Sequence, residues 1–265
     1  MPFHQSGDIR YFAFDCLADG GLRHATVTRQ GGVSLEPWAS LNVGGTVGDD
    51  AAHVLENRQR TFRALGCSFE SLYDVWQVHG KAVVCTQAPR PPGTPHLQAD
   101  AILTDRPGVT LFMRFADCVP IFLYDPVRRV VGLVHAGWKG TLQRVAADAV
   151  RVMQAHYHSR PQDIRAGIGP SIGPHHYPVG PEVVRQAQDA FGLDAGELLR
   201  VSNGGKGDSG VQFDLWSANR LVLESVGVGQ VEVPEICTAC HMEDWYSHRG
   251  ESGRTGRFGA LIALS

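Results

Sequence analysis

The sequence predicts a mixed α/β fold, and three observations lead to that prediction. Segments rich in β-branched and aromatic residues are interspersed with segments of helical periodicity along the 265 residues. The two kinds of segment do not alternate regularly, which argues against a simple doubly wound sheet. Hydrophobic residues make up 43% of the chain, enough to bury a sizeable core in one large domain or two small ones.

The individual elements follow from these patterns. Segments in which β-branched and aromatic residues concentrate are predicted to be strands: 22–28, 71–78, 81–86, 109–115, 119–124, 130–135, 164–168, 230–236 and 257–264. Segments with an apolar stripe at helical spacing are predicted to be helices: 51–65, 141–157, 181–191 and 214–226. Asp214 stands where the N-cap of the last helix belongs. The Pro-rich stretch 88–96 is predicted to be a linker.

Composition and charge argue against several functions. The formal net charge of −3 shows no basic excess, so nucleic acid is a poor candidate partner. No apolar run reaches the roughly 20 residues of a membrane helix, and charged residues interrupt the N-terminal segment where a signal peptide would need an apolar run. We therefore expect a cytoplasmic protein. No P-loop or dinucleotide fingerprint is present, and the glycine cluster at 202–210 is expected to be a mobile loop.

The C-terminal region contains the pattern that attaches a c-type haem. Cys237, Cys240 and His241 stand in the order Cys-x-x-Cys-His. Covalent haem attachment requires export, for which the N-terminal segment offers no signal. We therefore expect Cys240 and His241 to be incidental, with no second metal site there.

Three candidate metal ligands stand where strand-like runs end or break. They are His79, Cys118 and His135, and the ends of neighbouring strands converge at one edge of a sheet. One thiolate and two imidazoles would leave a tetrahedral zinc with an open fourth position, which suits catalysis. Asp117 and Lys139 place charge beside these runs. Taken singly, each ligand has a plainer interpretation, because a lone buried Cys is usually an inert small hydrophobe and a strand-end His is usually a hydrogen-bonded structural residue.

A series of specific motifs runs in order along nearly the whole chain. They are RQGGVS (29–34), SLNVGGTVGDD (40–50), ENR (56–58), WQVHG (76–80), ADAILTD (99–105), ADCVP (116–120), HAGWKGT (135–141), GIGPSIG (167–173), YPVG (177–180), CT (237–238) and YSHRGESGRTGRFGALIAL (246–264). In this order they resemble the multicopper polyphenol oxidoreductase or laccase-domain family. That family is also described as purine nucleoside phosphorylases of the peptidoglycan-editing-factor type.

The resemblance implies a fold and a metal site. The fold would be a single four-layer α/β/β/α domain with mixed sheets over residues 1–265, similar to the catalytic domain of deamidating cytotoxins. The metal would be held by His79 of the QVHG motif, Cys118 of the ADC motif and His135 of the HAGW motif. Zinc is the expected metal, and copper is possible at the same site because both suit imidazole and thiolate ligands.

The resemblance also implies an activity, with alternatives that stay open. The expected activity is phosphorolysis of adenosine, inosine, guanosine and methylthioadenosine, together with adenosine deamination. The alternatives within the family are copper-dependent polyphenol oxidation and amidase editing of peptidoglycan precursors through the same Cys/His site. Outside it stand a metal-free cysteine hydrolase, with Cys118 activated by His135, and a non-enzymatic binding protein. The expected partners are a purine nucleoside and phosphate, and the expected state is a monomer or small homo-oligomer.

Phosphorolysis requires an anion pocket and contacts to the sugar or base. The motifs of the family resemblance provide a set of cations and hydrogen-bonding groups for these contacts: Arg29, Asn42, Arg58, Lys139, Ser247, Arg249 and Arg257. Ser247, Arg249 and Arg257 are expected to close the substrate pocket opposite the metal. Each has a plainer interpretation: Arg58 would fit a solvated helix face, and the stem of Lys139 would cover Trp138.

Overall fold

In the computed structural model, which describes residues 3–201 and 210–265, two six-stranded mixed sheets face each other. The first sheet has the spatial order β1 (Phe3–Ser6), β2 (Ile9–Phe12), β3 (Leu22–Val27), β15 (Phe258–Leu264), β7 (Thr110–Phe115) and β4 (Leu72–Tyr73). The second has the order β14 (Gln230–Glu232), β10 (Arg165–Ile168), β8 (Val119–Asp125), β9 (Val130–Ala136), β6 (Ala101–Thr104) and β5 (Val83–Cys85). Both sheets mix parallel and antiparallel pairs.

Helices and a small third sheet complete the described part of the chain. The third sheet has the order β11 (Pro178–Val179), β13 (Val211–Phe213) and β12 (Leu199–Val201). The helices are α1 (Ala51–Ala64), α2 (Trp138–Leu142), α3 (Val145–Tyr157), α4 (Pro181–Phe191), α5 (Ala195–Leu198) and α6 (Leu215–Ser225). None of these helices combines the length and the hydropathy that crossing a membrane would require.

The packing gives four layers in the order helix, sheet, sheet, helix. Side chains alternate between the two faces of a strand, so in β15 Ile262 enters the cluster between the sheets while Leu261 packs beneath Phe62 of α1. On the far side of the second sheet, α3 and α6 pack over its outer face, with Met153 and Val222 in the same buried cluster as the strands. The predicted mixed α/β class is confirmed.

Several predicted elements are shorter than the sequence pattern indicated, and for two of them the structure shows the reason. The helix predicted over 141–157 is split, because Arg144 has a left-handed backbone conformation (φ 60°) between α2 and α3. The strand predicted over 71–78 ends at Tyr73, where the next residue, Asp74, is fully buried and accepts hydrogen bonds from Arg90 (2.7 Å) and Arg114 (2.9 Å). The backbone after Asp74 therefore leaves the sheet as a loop. The predicted glycine-rich loop at 202–210 lies, except for Gly210, outside the described residues.

Strands β8 and β9 place the functional residues. They are antiparallel neighbours with Pro120 opposite His135. Phe122 and Leu133 from these strands point into the cluster between the two sheets. Because side chains alternate along a strand, Cys118, four residues before Phe122, and His135, two residues after Leu133, lie on that same face. Both therefore stand at one end of the space between the sheets.

Candidate active site

The structure brings the three candidate metal ligands together. One donor atom each from His79, Cys118 and His135 lies within 4.8 Å of the other two. His135 is buried at the end of β9, Cys118 is half-buried just before β8, and His79 is exposed in the loop between β4 and β5. His79 has a left-handed backbone conformation (φ 60°), and its ring meets that of His135 edge-on with centroids 4.8 Å apart. The donor set of one thiolate and two imidazoles fits zinc or copper.

Asp100 orients two of the three ligands. One carboxylate oxygen accepts a hydrogen bond from the His135 ring at Nδ1 (2.8 Å) and from the His79 backbone N–H (3.0 Å). The other oxygen accepts from the backbone N–H groups of Gly80 (2.7 Å) and Val78 (3.2 Å). Because Nδ1 is bonded to Asp100, Nε2 is the ring nitrogen of His135 that would bind a metal. A carboxylate that fixes the ring of a metal-binding histidine in this way is common around metal centres.

Gly137 provides the space in which the donors meet. A Cβ atom added at this position would lie 2.9 Å from Cδ2 of His79 and 3.1 Å from Sγ of Cys118. Both distances are too short for carbon to occupy without displacing a ligand. The glycine of the HAGW motif is therefore required by the close packing of the donor atoms.

Cys118 and His135 also stabilise each other as a charged pair. Burial alone raises the pKa of the Cys118 thiol, but the adjacent His135 and hydrogen bonds from both imidazoles lower that pKa below its ordinary value. Burial alone lowers the pKa of His135, and the Cys118 sulfur and the Asp100 carboxylate raise it above the ordinary value. A thiolate at neutral pH is the form that binds metal or acts as a nucleophile.

These residues open onto a cavity of about 660 Å³, which is the size range of small-molecule sites. Aromatic side chains and guanidinium groups line it together with the donor cluster: Trp76, Trp138, Tyr177, Arg58, Arg249 and Arg257. Trp76 is 49% exposed, so its indole ring is accessible at the cavity. The cavity therefore offers flat apolar surfaces and positive charge beside the donor cluster.

Three of the predicted substrate contacts line this cavity as cations. In the described ranges 3–201 and 210–265, no carboxylate oxygen lies within 4.0 Å of a guanidinium nitrogen of Arg58, Arg249 or Arg257. Arg58 bonds the Val43 carbonyl through Nε (2.8 Å), and Arg257 bonds carbonyls of its own loop through one terminal nitrogen. Burial, with Arg114 nearby, lowers the pKa of Arg58 to about 10, so it stays charged at neutral pH.

The other predicted substrate contacts lie outside the cavity lining. Arg29 pairs with Glu251 (3.0 Å) and covers the Tyr246 ring, and Asn42 is buried with both ends of its amide bonded inside the 42–49 loop and to the Arg257 N–H. Lys139 is exposed and lies over Trp138 with its nitrogen 5.4 Å from the ring centroid. In the structure Asn42 positions the loop that carries Gly44 and Gly45 to the cavity.

Asp117 holds three chain segments together at the cavity wall. Its carboxylate accepts hydrogen bonds from the hydroxyls of Thr238 and Ser247 (2.7 Å each) and from the backbone N–H of Arg249 (2.6 Å). Ser247, predicted as a substrate contact, is thus buried behind the wall and bonded to Asp117. Asp117 itself has a left-handed backbone (φ 82°) directly before Cys118. The bonds from Ser247 and from the Arg249 N–H fix the chain at and just before Arg249.

Sequence reasoning missed two residues that shape this site. Asp100 stands directly before a short apolar run within the ADAILTD motif, and that position was the available signal. Arg114 lines the cavity from β7, where its charge is neutralised by Asp74. No local pattern marks an inward-facing Arg in an otherwise apolar strand as a site residue.

The residues of the Cys-x-x-Cys-His pattern (237–241) have neighbours in the fold that the sequence did not reveal. Nδ1 of His241 lies 3.3 Å from a carboxylate oxygen of Glu243. Cys240, expected to be incidental, lies 3.1 Å from Nε2 of His175, and Cys237 lies 3.6 Å from Nδ1 of His176. Cys240 therefore has imidazole neighbours that the sequence did not indicate, because the fold brings a distant His-His pair beside it.

The fold and the donor cluster define a four-layer α/β/β/α protein with a Cys/His site at the mouth of a cavity. Residues 23–265 match the family model described as multi-copper polyphenol oxidoreductase laccase, and the chain belongs to this family. It is 40% identical over 241 residues to a purine nucleoside phosphorylase of Deinococcus radiodurans, covering 91% of this chain and 88% of the relative. It is 34% identical over 246 residues to purine nucleoside phosphorylase YfiH of Escherichia coli, covering 92% and 94%.

Solved structures show the same fold. The crystal structure of YlmD from Geobacillus stearothermophilus superimposes with a TM-score of 0.90 at 34% identity, over 99% of this chain and 98% of that one. A Bacillus licheniformis protein titled hypothetical protein YfiH gives a TM-score of 0.88 at 31% identity, over 100% and 99%.

Proposed function

We propose that this protein is a zinc-dependent purine nucleoside phosphorylase acting on adenosine, inosine, guanosine and methylthioadenosine. The main support is that Arg58, Arg249 and Arg257, which have no carboxylate partner in the part of the chain described, line the same cavity as the Cys/His cluster. Arg58 and Arg257 are partly buried, and partly buried cations without counter-charges are costly unless an anion binds them. Arg249 is exposed and adds positive charge to the cavity lining. Inorganic phosphate is the anion that this reaction consumes, and relatives in this family are named purine nucleoside phosphorylases.

The cavity walls suit the rest of the substrate. Trp76, Trp138 and Tyr177 offer flat faces on which a purine would stack. Burial of the base between aromatic rings would expel water from the glycosidic bond and favour transfer to phosphate over hydrolysis. The proposed subsites are thus an aromatic one for the base and a cationic one for phosphate.

The reaction exchanges one bond at the anomeric carbon. A phosphate oxygen forms a bond to C1′ of the ribose while the bond from C1′ to the purine nitrogen breaks, and its electron pair leaves with the base. The guanidinium groups of Arg58 and Arg257 would hold the phosphate oxygens in a fixed direction. Positioning of this kind converts a reaction between two molecules into one within a complex, which is where much of the rate gain arises.

His79, Cys118 and His135 are the residues that would hold the metal, with Asp100 orienting the two histidines. When bound there, zinc would supply a Lewis acid at the edge of the cavity. Three protein ligands leave a position open, which is typical of catalytic rather than structural zinc.

Adenosine deamination is proposed as a side activity, with weaker support. It needs a group that moves a proton to the leaving nitrogen. Asp117 is a carboxylate at the cavity, but its two oxygens already accept three hydrogen bonds. We therefore expect phosphorolysis to be faster than deamination.

Copper-dependent oxidation of phenols is a second candidate, favoured by the donor set and by the family description. One Cys and two His also form the ligand set of single-copper sites, and copper binds most such sites more tightly than zinc. This activity is expected only in protein loaded with added copper. Amidase editing of peptidoglycan precursors would use the Cys118–His135 pair as nucleophile and base.

Chromatography of adenosine incubations with and without phosphate tests the proposal. Adenine formed only in the presence of phosphate supports it, inosine alone would identify a deaminase, and an unchanged adenosine peak would overturn it.

Arg58→Gln and Arg257→Gln should each raise the KM for phosphate more than that for adenosine. Arg63→Gln is the matched control, because Arg63 lies on the same helix with its side chain 71% exposed. A thiol alkylator that abolishes turnover while a chelator has no effect would favour a cysteine hydrolase.

A further inference from the structure

A second cluster of metal-binding side chains lies outside the cavity described above. It combines His175 and His176, in a short 3-10 turn (Pro174–His176) after β10, with Cys237 and Cys240, in the loop after β14. One donor atom from each of the four lies within 4.8 Å of the other three. The Cys-x-x-Cys spacing is one that structural zinc sites use.

The distances between these donors match a tetrahedral metal site. Sγ of Cys240 lies 3.1 Å from Nε2 of His175 and 3.5 Å from Nδ1 of His176, and Sγ of Cys237 lies 3.6 Å from the same Nδ1. Zinc–sulfur bonds of about 2.3 Å and zinc–nitrogen bonds of about 2.0–2.1 Å separate sulfur from nitrogen by about 3.6 Å across a tetrahedral angle. The four side chains therefore stand close to the arrangement that one ion would require.

The surrounding backbone also fits a thiolate and two converging imidazoles. The backbone N–H of Gly173 donates to Sγ of Cys237 (3.2 Å), a hydrogen bond of the kind that orients a metal ligand from outside its coordination shell. A Cβ atom at Gly173 would lie 2.6 Å from Cε1 of His175, so only glycine allows that ring to lie over the turn.

We propose that His175, His176, Cys237 and Cys240 form a second, closed metal site that binds zinc. Four protein ligands leave no open position, so the role is structural rather than catalytic. Thiolate and imidazole donors favour zinc over magnesium, calcium or manganese. Zinc binding at these four residues does not require the proposed enzymatic activity.

The site would connect two segments that form one wall of the cavity. The turn that carries His175 and His176 continues into Tyr177, which lines the cavity. The loop with Cys237 continues into Thr238, whose hydroxyl donates to Asp117. An ion that joins the two segments would hold Tyr177 in place against the Asp117 side of the wall.

Zinc stoichiometry of the full-length protein tests the proposal. Protein purified under reducing conditions and equilibrated with Zn²⁺ alone is examined by native mass spectrometry and by elemental analysis. The unmodified chain should bind two zinc ions, one for each cluster. Cys240→Ser and His175→Gln, both at exposed positions, should each lose one ion, whereas His241→Gln should keep both because His241 pairs with Glu243.

A second pair of variants separates this site from the cavity site. Cys118→Ser and His79→Gln should retain the ion at His175, His176, Cys237 and Cys240 while losing the other. In the Cys118→Ser background, Co²⁺ should show thiolate-to-cobalt absorption that falls sharply when Cys240→Ser is added. A single ion that Cys118→Ser removes and Cys240→Ser leaves in place would overturn the proposal. So would a disulfide between Cys237 and Cys240, seen as the loss of two hydrogens in mass.

If instead one ion remains that Cys240→Ser removes and Cys118→Ser does not, the second site stands and the proposed catalytic zinc fails. Thermal unfolding gives a readout that does not depend on activity. Zn²⁺ should raise the Tm of the Cys118→Ser variant, and Cys240→Ser should abolish that increase. An unchanged Tm on adding zinc to Cys118→Ser would count against the site.

Discussion

At the scale of single residues, Asp100 is expected to affect the proposed catalytic metal without being one of its ligands. Each of its oxygens accepts two hydrogen bonds, among them those from the His135 ring and the His79 backbone. In Asp100→Asn the amide nitrogen cannot accept, so two of the four donors lose their partner. We expect zinc affinity at this site to fall about 10–100-fold, as for other outer ligand partners. Chelator competition measures it.

Asp105→Asn is the control for that measurement, since Asp105 belongs to the same sequence motif but pairs with Arg106 at the surface. Its zinc affinity should match that of the unmodified protein. Equal affinity in Asp100→Asn would show that the carboxylate does not position the ligands.

Gly137 tests whether zinc binding depends on the space between the ligand side chains, as Asp100 tests its dependence on charge and hydrogen bonding. Gly137→Ala places a methyl group about where His79 and Cys118 converge, at 2.9 and 3.1 Å from their atoms. We expect zinc binding at this site to be lost while the far-ultraviolet circular dichroism spectrum stays the same. Gly20→Ala, with nothing within 4 Å of the added carbon, should bind zinc normally. Full zinc binding by Gly137→Ala would show that the donors meet differently.

His24 predicts a pH dependence of stability. Burial lowers its pKa to about 4 from the ordinary 6.5, and its neutral ring accepts a hydrogen bond from the Phe14 N–H (2.8 Å). Between pH 6.5 and 4 the unfolded chain therefore binds a proton that the folded chain does not. Stability from this group is fully present above pH 6.5 and is lost as the pH falls towards 4, by about 3 kcal/mol.

Urea unfolding of the unmodified protein and of His24→Gln across this pH range measures the effect. The free energies of unfolding should converge as the pH falls, because Gln does not titrate. His156→Gln, which changes an exposed imidazole on α3, should run parallel to the unmodified protein. Parallel curves for His24→Gln would assign the pH dependence to other groups.

At the scale of elements, the N-cap of α6 is a prediction from sequence that the structure bears out. The Asp214 carboxylate accepts from the Ser217 N–H (3.0 Å), where the cap was expected. Asp214→Ala should lower the free energy of unfolding by about 1–2 kcal/mol, because the first turn loses its acceptor. Asp214→Asn should recover most of this loss, since its amide oxygen still accepts. Chemical denaturation measures both, and equal losses would assign the effect to the ion pair with Arg200.

The helices and strands that were predicted well from the sequence are those whose hydrophobic pattern lies within the segment itself. Strands 119–124 and 130–135 and helix 181–191 are found almost as predicted, because continuous apolar runs and helical stripes are properties of the segment itself. The break at Arg144 was missed because a left-handed non-glycine residue is imposed by packing. Strand β6 was missed because its four buried residues are too few for a pattern.

In the candidate site, too, residues with a local sequence signal could be predicted, whereas residues defined by distant contacts could not. His79, Cys118 and His135 could be predicted as candidates because each ends or interrupts a strand-like run and the motifs pointed to the same three residues, and the structure brings their donor atoms together. Asp100 and Arg114 could not be assigned, since their partners lie 35 and 40 residues away in sequence. The pairing of Cys240 with His175 spans 65 residues and was likewise invisible before the fold was known.

At the scale of the whole molecule, anion binding should couple to global stability. Arg58, Arg249 and Arg257 belong to α1 and to the C-terminal loops, so an ion that they share joins distant parts of the chain. Inorganic phosphate should raise the Tm, with a gain of about 2.7 kcal/mol at 100 times the Kd. Thermal melts with and without phosphate measure it.

Sodium chloride at the same ionic strength is the control for salt effects, and should give a much smaller shift. The double variant Arg58→Gln, Arg257→Gln should melt at the same temperature with and without phosphate. A phosphate-dependent shift that survives in this variant would place the anion elsewhere on the protein.

The pairing of β8 with β9 has a consequence for how the protein can be assayed. Cys118 and His135 face each other only because Pro120 is opposite His135. A slip of one residue would turn His135 to the opposite face, under the helices, and separate it from the thiol. Both strands are apolar on both faces and buried throughout, so their hydrophobic pattern alone discriminates poorly between registers. A metal titration at this site would therefore count correctly registered molecules, and it would serve as a quality measure for refolded or redesigned forms of this chain.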